Sequence, residues 1–158
     1  MPYFAPSLTS QSFAAIAQRL SAELTAATPR LRALTEAQAA KPRAPGKWSS
    51  KQILGHLIDS ASNNHQRFVR GQLTSTLVDP GYAQREWVES QRYEDRSWSD
   101  LVELWSAYNR HLVHVIAAIP EGRRETPVHI GTDPAVTLSF VALDYVAHIE
   151  HHLGQIFG

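Results

Sequence analysis

At 158 residues with no cysteine, the chain is sized for a single domain spanning 1–158, and any metal site must be built from histidine, carboxylate or water rather than thiolate. Fifteen basic residues balance fifteen acidic ones, so the formal net charge is zero and no chain-wide field draws in phosphate backbones; no nucleic-acid partner is expected. No uncharged apolar run reaches the roughly 18 residues of a membrane span, and "MPYFAPSLTS" has neither the basic nor the apolar region of a signal peptide, so the expectation is a soluble, cytoplasmic protein with no membrane partner.

Four segments repeat apolar residues at helical spacing. The first is capped by Thr9 or Ser10, carries Phe13, Ile16, Leu20 and Leu24, and is expected to end near Ala27, ahead of Pro29. A connector follows whose basic residues, Arg30, Arg32, Lys41, Arg43, Lys47 and Lys51, read as a solvated surface, with room for a short helix over 31–39. The second segment opens at Ser49, where Gln52 completes a capping-box pattern, and continues through Ile53, Leu54, Leu57, Ala61 and Phe68. In the next connector "AQREWVES", residues 83–90, is a further short-helix candidate. The third segment starts after Ser97 and aligns Leu101, Leu104, Trp105, Tyr108, Leu112, Val115, Ile116 and Ile119 within a sector of about 120°, until Pro120 and Gly122 stop it. "PVHI" at 127–130 is the nearest approach to a strand and is too short to show alternation. Thr137 caps the fourth segment, with Leu138, Val141, Tyr145, Ile149, Leu153 and Ile156 on one face. The pattern is that of an all-α four-helix bundle with long connectors.

The stretch "DYVAHIEHHLGQIF", residues 144–157, holds three of the eight histidines. His148 and His152 are four apart, so both imidazoles stand on one helix face, about 40° apart in projection and along the polar edge of the apolar stripe. His151 and Glu150 turn elsewhere, and "HIEHH" is not an HExxH motif, in which glutamate directly follows the first histidine. On the second segment His56 has the same placement and continues into a polar line of Ser60, Asn63 and Arg67. Three neutral imidazoles from two facing helices would make a three-ligand site with open positions, suited to zinc and equally to nickel or iron(II); an ordinary polar helix face is the other reading. Each ligating ring should donate its second N–H to an acceptor, for which Asp144, one turn before His148, is the stronger candidate and Asp59, three after His56, the weaker.

"WSSKQILGHLIDS" together with "HIEHHLGQI" resembles the DinB-like superfamily of metal-binding four-helix bundles, most of all its YfiT-like branch of bacillithiol transferases and metal-dependent hydrolases. The similarity runs from about residue 45 to 157, through "RFVRGQL", Pro80-Gly81-Tyr82, Trp87, "SWSDLVELWSAYNRHL" and "TPVH". It implies an up-down-down-up bundle, a divalent metal, usually zinc or nickel, on His56, His148 and His152, and a homodimer. It further implies a small-molecule substrate and activation of a low-molecular-weight thiol cosubstrate, or of water, for S-transfer or hydrolysis. A non-catalytic bundle that holds metal or a small ligand is the alternative, because no general base is evident beside the histidines. Asn63, Asn64 and Arg67 are candidates to read a polar or anionic substrate; Tyr145 and His129, the latter matching a histidine of the branch's connector, are further pocket candidates; and Tyr82 and Trp87 would either wall a pocket or anchor their loop.

Overall fold

The computed structural model describes residues 11–158, so Thr9 and Ser10 lie outside the described residues; the first helix is capped by Ser12, whose hydroxyl accepts from the Ala15 N–H at 3.2 Å. Four long helices carry the fold: α1 (Phe13–Ala33), α3 (Ser50–Leu73), α5 (Trp98–Ala117) and α6 (Leu138–Phe157). The connectors hold α2 (Glu36–Ala40), α4 (Gln84–Gln91) and the strands β1 (Leu77–Asp79), β2 (Pro127–Ile130) and β3 (Val136–Thr137). Among the described residues no helix is long and apolar enough to cross a membrane.

Cross-helix contacts fix the direction of each helix. Arg19 pairs with Glu150 at 2.7 Å and Arg30 lies 3.8 Å over the Phe157 ring, so α1 and α6 run parallel. The Trp98 indole at the start of α5 donates to the Leu31 carbonyl near the end of α1 at 2.8 Å, whereas Glu121 just beyond α5 accepts from Phe13 N–H at 2.8 Å; these two helices are antiparallel. Lys51 reaches the Arg96 carbonyl at 2.6 Å and His65 meets the Tyr108 hydroxyl at 3.0 Å, which makes α3 and α5 parallel. Phe68 packs against Tyr145 and Gly71 against Leu138 at the opposite end of α6 from His148, so α3 and α6 are antiparallel. The bundle is therefore up-down-down-up, with α1 and α3 on one diagonal and α5 and α6 on the other. Its core takes Phe13, Ile16 and Leu20 from α1, Leu54, Leu57 and Phe68 from α3, Leu101, Trp105 and Leu112 from α5, and Tyr145 and Ile149 from α6.

Several elements depart from the sequence-based expectation. Helix α1 does not end at Ala27 but continues through Pro29 to Ala33, because burial of Ala27 and Leu31 and the indole bond to the Leu31 carbonyl hold the turn that proline weakens. On α5, Leu104 is 43% exposed while Val102, Ser106 and Asn109 are buried; Asn109 is accommodated by donating to the Trp105 carbonyl at 2.9 Å and accepting from Tyr145. Lys51 is not a solvated surface residue: it is 4% exposed, donates to the Glu94 and Arg96 carbonyls and pairs with Glu36, stitching α2 and the connector before α5 to the first turn of α3. "PVHI" is a strand after all, pairing parallel with β1 and antiparallel with β3. Strands of two to four residues are too short to reveal period two, and β1, the parallel partner of β2, lies in a different connector. This small sheet fastens the connector after α3 to the connector before α6.

Gly55 sits beside His56 on α3, where a Cβ would lie 2.2 Å from the Tyr93 ring. The missing side chain lets that ring lie flat on the helix while its hydroxyl donates to Asp59 at 2.6 Å. Gly55→Ala is expected to displace Tyr93 and cost about 1–3 kcal/mol through overpacking, despite alanine's better helix propensity. Urea unfolding of the two proteins checks this, and an unchanged or higher midpoint would contradict the close packing.

Candidate metal centre

His56 is 1% exposed on the inner face of α3, and His148 and His152 are half-buried on adjacent turns of α6. Antiparallel packing brings the three rings together, with centroids 4.9 Å apart for His56 and His148, 4.8 Å for His56 and His152, and 4.5 Å for His148 and His152. One ring nitrogen of each lies within 4.8 Å of the others. The Nε2 atoms of His56 and His148 are 2.9 Å apart. Two nitrogens held about 2.0–2.1 Å from a common cation are about 3 Å apart when they subtend roughly a right angle, so the spacing suits shared ligation.

The outer nitrogens decide which lone pairs face inward. His152 Nδ1 lies 2.8 Å from Gln155 Oε1, an acceptor only, so this nitrogen carries the proton and Nε2 is left as a donor of electrons. His148 Nδ1 faces the Ser60 hydroxyl at 3.3 Å, and that hydroxyl also accepts from the Asn64 amide at 3.3 Å. Asp144, the sequence-based candidate for that outer role on His148, lines the recess and the cleft beside it, and Ser60 and Gln155 are outer partners to which the sequence reading assigns no such role. The signal was one helical turn: Ser60 is four after His56, and Gln155 three after His152. Burial pushes the His56 imidazole down to about 4, helped by nearby His152; burial also lowers His148 and His152, the latter partly offset by its bond to Gln155. All three rings are thus neutral at pH 7 and can act as ligands, and they are the residues that could hold a divalent cation.

The histidines open onto a cleft of about 900 Å³ walled by Trp48, Tyr82, Asp133, Asp144 and Arg67, with a narrower recess of about 120 Å³ beneath it that reaches Ser60, Asn64 and Tyr145. Arg67 is buried and pairs with Asp79 at 3.0 Å at the end of β1. Asp144 lines both recess and cleft. Tyr82 does the same, burial raising its hydroxyl to about 12, so it stays protonated; Trp87 packs on its ring at 5.0 Å.

Other residues singled out from sequence have different surroundings. Asp59 is not turned to His56: its Oδ1 accepts from Gln91 at 2.7 Å and from Tyr93 at 2.6 Å, tying the α4 connector to α3. His56 Nδ1 is left buried with no hydrogen-bond partner among the described residues. Asn63 bonds back to the Asp59 carbonyl at 2.9 Å, and its neighbour Asn64 lines the recess instead. Tyr145 is buried with its hydroxyl donated to Asn109 at 2.5 Å, so its ring floors the recess while its polar tip belongs to the core. His129 is half-buried on β2, and the strand neighbour that lines the cleft is Ile130. Glu150 points to α1 and pairs with Arg19, and His151 is exposed.

A helical bundle of up-down-down-up topology with a three-histidine cluster between its antiparallel helices is the class that fold and site define. The signature of the DinB superfamily matches residues 11–156, and the chain belongs to that superfamily. YfiT of Bacillus subtilis (strain 168), a candidate metal-dependent hydrolase, is 26% identical over 125 residues, covering 78% of this chain and 70% of YfiT. The solved structure of YfiT, reported with an unusual four-helix bundle topology, superposes with a TM-score of 0.84 over 98% of this chain and 89% of that one at 22% identity, a likeness of fold.

The lowered imidazoles set the sign of a pH dependence. Below the unfolded value of about 6.5, the unfolded chain takes up protons that the folded rings refuse, so this contribution is present above pH 6.5 and is lost as pH falls toward 4. The metal-free protein is expected to lose melting temperature between about pH 6.5 and 5, and His148→Asn to lose distinctly less over the same interval. Equal losses in both proteins, followed by scanning calorimetry, would contradict the burial of neutral histidines.

Proposed function

We propose that this chain is a divalent-metal-dependent enzyme of the DinB superfamily in which His56, His148 and His152 hold the cation and the cleft above them admits a small molecule. The observation that carries this reading is the convergence of three neutral imidazoles, two with their outer nitrogens engaged by Gln155 and Ser60, beneath an open cleft. The name of YfiT as a metal-dependent hydrolase supports the same reading. A dication held there supplies the Lewis acidity that makes a thiol or a water a competent nucleophile at neutral pH. With no cysteine in the chain, a thiol nucleophile arrives as a cosubstrate. Zinc and nickel both suit three imidazoles, and the reaction is S-transfer or hydrolysis.

The protein's own residues have distinct tasks in this scheme. Gln155 and Ser60 orient their histidines. Asp144, the carboxylate shared by recess and cleft, is our choice for the group that takes the nucleophile's proton. Tyr82, held protonated, offers its hydroxyl as a hydrogen-bond donor toward the recess. The half-buried Trp48 ring and the buried Tyr145 ring narrow the space around the reacting atoms.

Elemental analysis of the purified protein should find close to one equivalent of zinc or nickel, and His148→Ala should lose most of it. Offered a chloro-nitro-arene with a panel of thiols, and simple esters with water, the metal-loaded protein is expected to turn over at least one pair and the chelator-treated protein to fall by about 100-fold or more. Equal metal content in the two proteins would overturn the reading. Metal retention without turnover of any pair would leave a metal-binding bundle and remove the enzymatic claim.

A further inference from the structure

Of the fifteen basic residues, seven form ion pairs with carboxylates in the described structure, and Lys41, Arg43, Lys47 and Arg85 are not among them. These four are exposed, yet they line one cavity of about 670 Å³. Glu89 and Glu94 are the carboxylates of its wall, so an excess of positive charge remains there in a chain whose formal charge is zero. Trp48 also lines this cavity and, at the same time, the cleft above the histidines, with its ring 5.4 Å from that of His56. The two cavities meet at one indole.

The loop that presents Lys41, Arg43 and Lys47 is held in shape rather than splayed into solvent. Pro42 and Ser49 form an antiparallel bridge at its base, Lys47 N–H closes a turn onto the Ala44 carbonyl at 3.0 Å, and Gly46 takes φ +72°, open to glycine without strain. Pro42 and Pro45 fix two further φ angles. Ser49, the base of the loop, is also the cap of α3, the helix that carries His56. The backbone that carries Lys41, Arg43 and Lys47 is therefore held at a fixed place relative to the histidines, which lowers the entropy lost when an anion settles among these residues.

We infer that this second cavity is an anion subsite, which receives the carboxylate or phosphate end of the small molecule whose reacting group lies at the histidines. A small ligand fits better than a nucleic acid, because the positive excess is confined to one loop and one turn of α4 and the rest of the surface is balanced. The subsite would make the enzyme select anionic substrates or cosubstrates, with Trp48 as the surface over which such a molecule passes. The assignment rests on the proposed function for the identity of the ligand, but anion binding itself can be tested apart from it.

Intrinsic tryptophan fluorescence, at fixed ionic strength, can follow titration with inorganic phosphate and, separately, with succinate. The proteins to compare are the wild type, the Lys41→Gln/Arg43→Gln/Arg85→Gln triple variant and His148→Ala, each with its metal content measured. Saturable binding of either anion is expected in the wild type, unchanged in His148→Ala and weakened roughly tenfold or more in the triple variant. Response to phosphate alone assigns a phosphate-bearing ligand, to succinate alone a carboxylate, and to both a general anion site. Absence of saturable binding by either, equal affinity in the triple variant, or loss of binding in His148→Ala would each overturn the subsite. A wild type that binds anion but carries no metal would refute the enzymatic reading while leaving the subsite in place.

Discussion

The antiparallel seam between α3 and α6 is the contact on which the rest depends. It places His56 against His148 with 2.9 Å between their Nε2 atoms, and it does so by packing Phe68 on Tyr145 and Gly71 on Leu138 further along the same two helices. The apolar end of the seam sets the register for its polar end. A slip of one residue would rotate each histidine by about 100° and disperse the cluster. The remaining helices serve that register: α5 and α1 close the bundle from the other side, and Lys51 clamps the first turn of α3 to the connectors around it.

Holding three imidazoles in one buried place is unfavourable if any becomes charged and favourable if they share a cation. The structure handles this with neutral rings whose outer nitrogens have assigned partners in two of three cases, Gln155 for His152 and Ser60 for His148. His56 Nδ1 is the exception, and Asp59, its nearest carboxylate in sequence, is committed to Gln91 and Tyr93. The same commitment explains why the connector with α4 lies firmly on α3, and so why Tyr82, with Trp87 packed on its ring, walls one side of the cleft. Stability of the connector and shape of the site are thus one problem.

Much of this arrangement was legible in the sequence. Long helices with clear caps at Ser49, Ser97 and Thr137 gave their starts directly, and helical projection separated His148 and His152 from His151 and Glu150, as the observed contacts do: the first two meet His56, Glu150 pairs with Arg19 and His151 is exposed. What was not legible has physical causes. Pro29 weakens a helix locally, but tertiary burial of Leu31 outweighs it, and that burial comes from distant residues. Strands of two to four residues have no readable period. Lys51 is a buried cation whose partners are the Glu94 and Arg96 carbonyls and Glu36, far along the chain or in another connector, so composition alone reads it as surface. Likewise Lys41, Arg43 and Lys47 looked like scattered charge until folding added Arg85 and Trp48 to the same cavity.

X-ray absorption at the metal edge of the purified, metal-loaded protein tests the central claim most directly. The account predicts three imidazole nitrogens at about 2.0–2.1 Å with their characteristic outer-shell scattering, falling to two in His56→Ala. A metal surrounded by oxygen ligands alone, or an imidazole count unaffected by loss of His56, would contradict it.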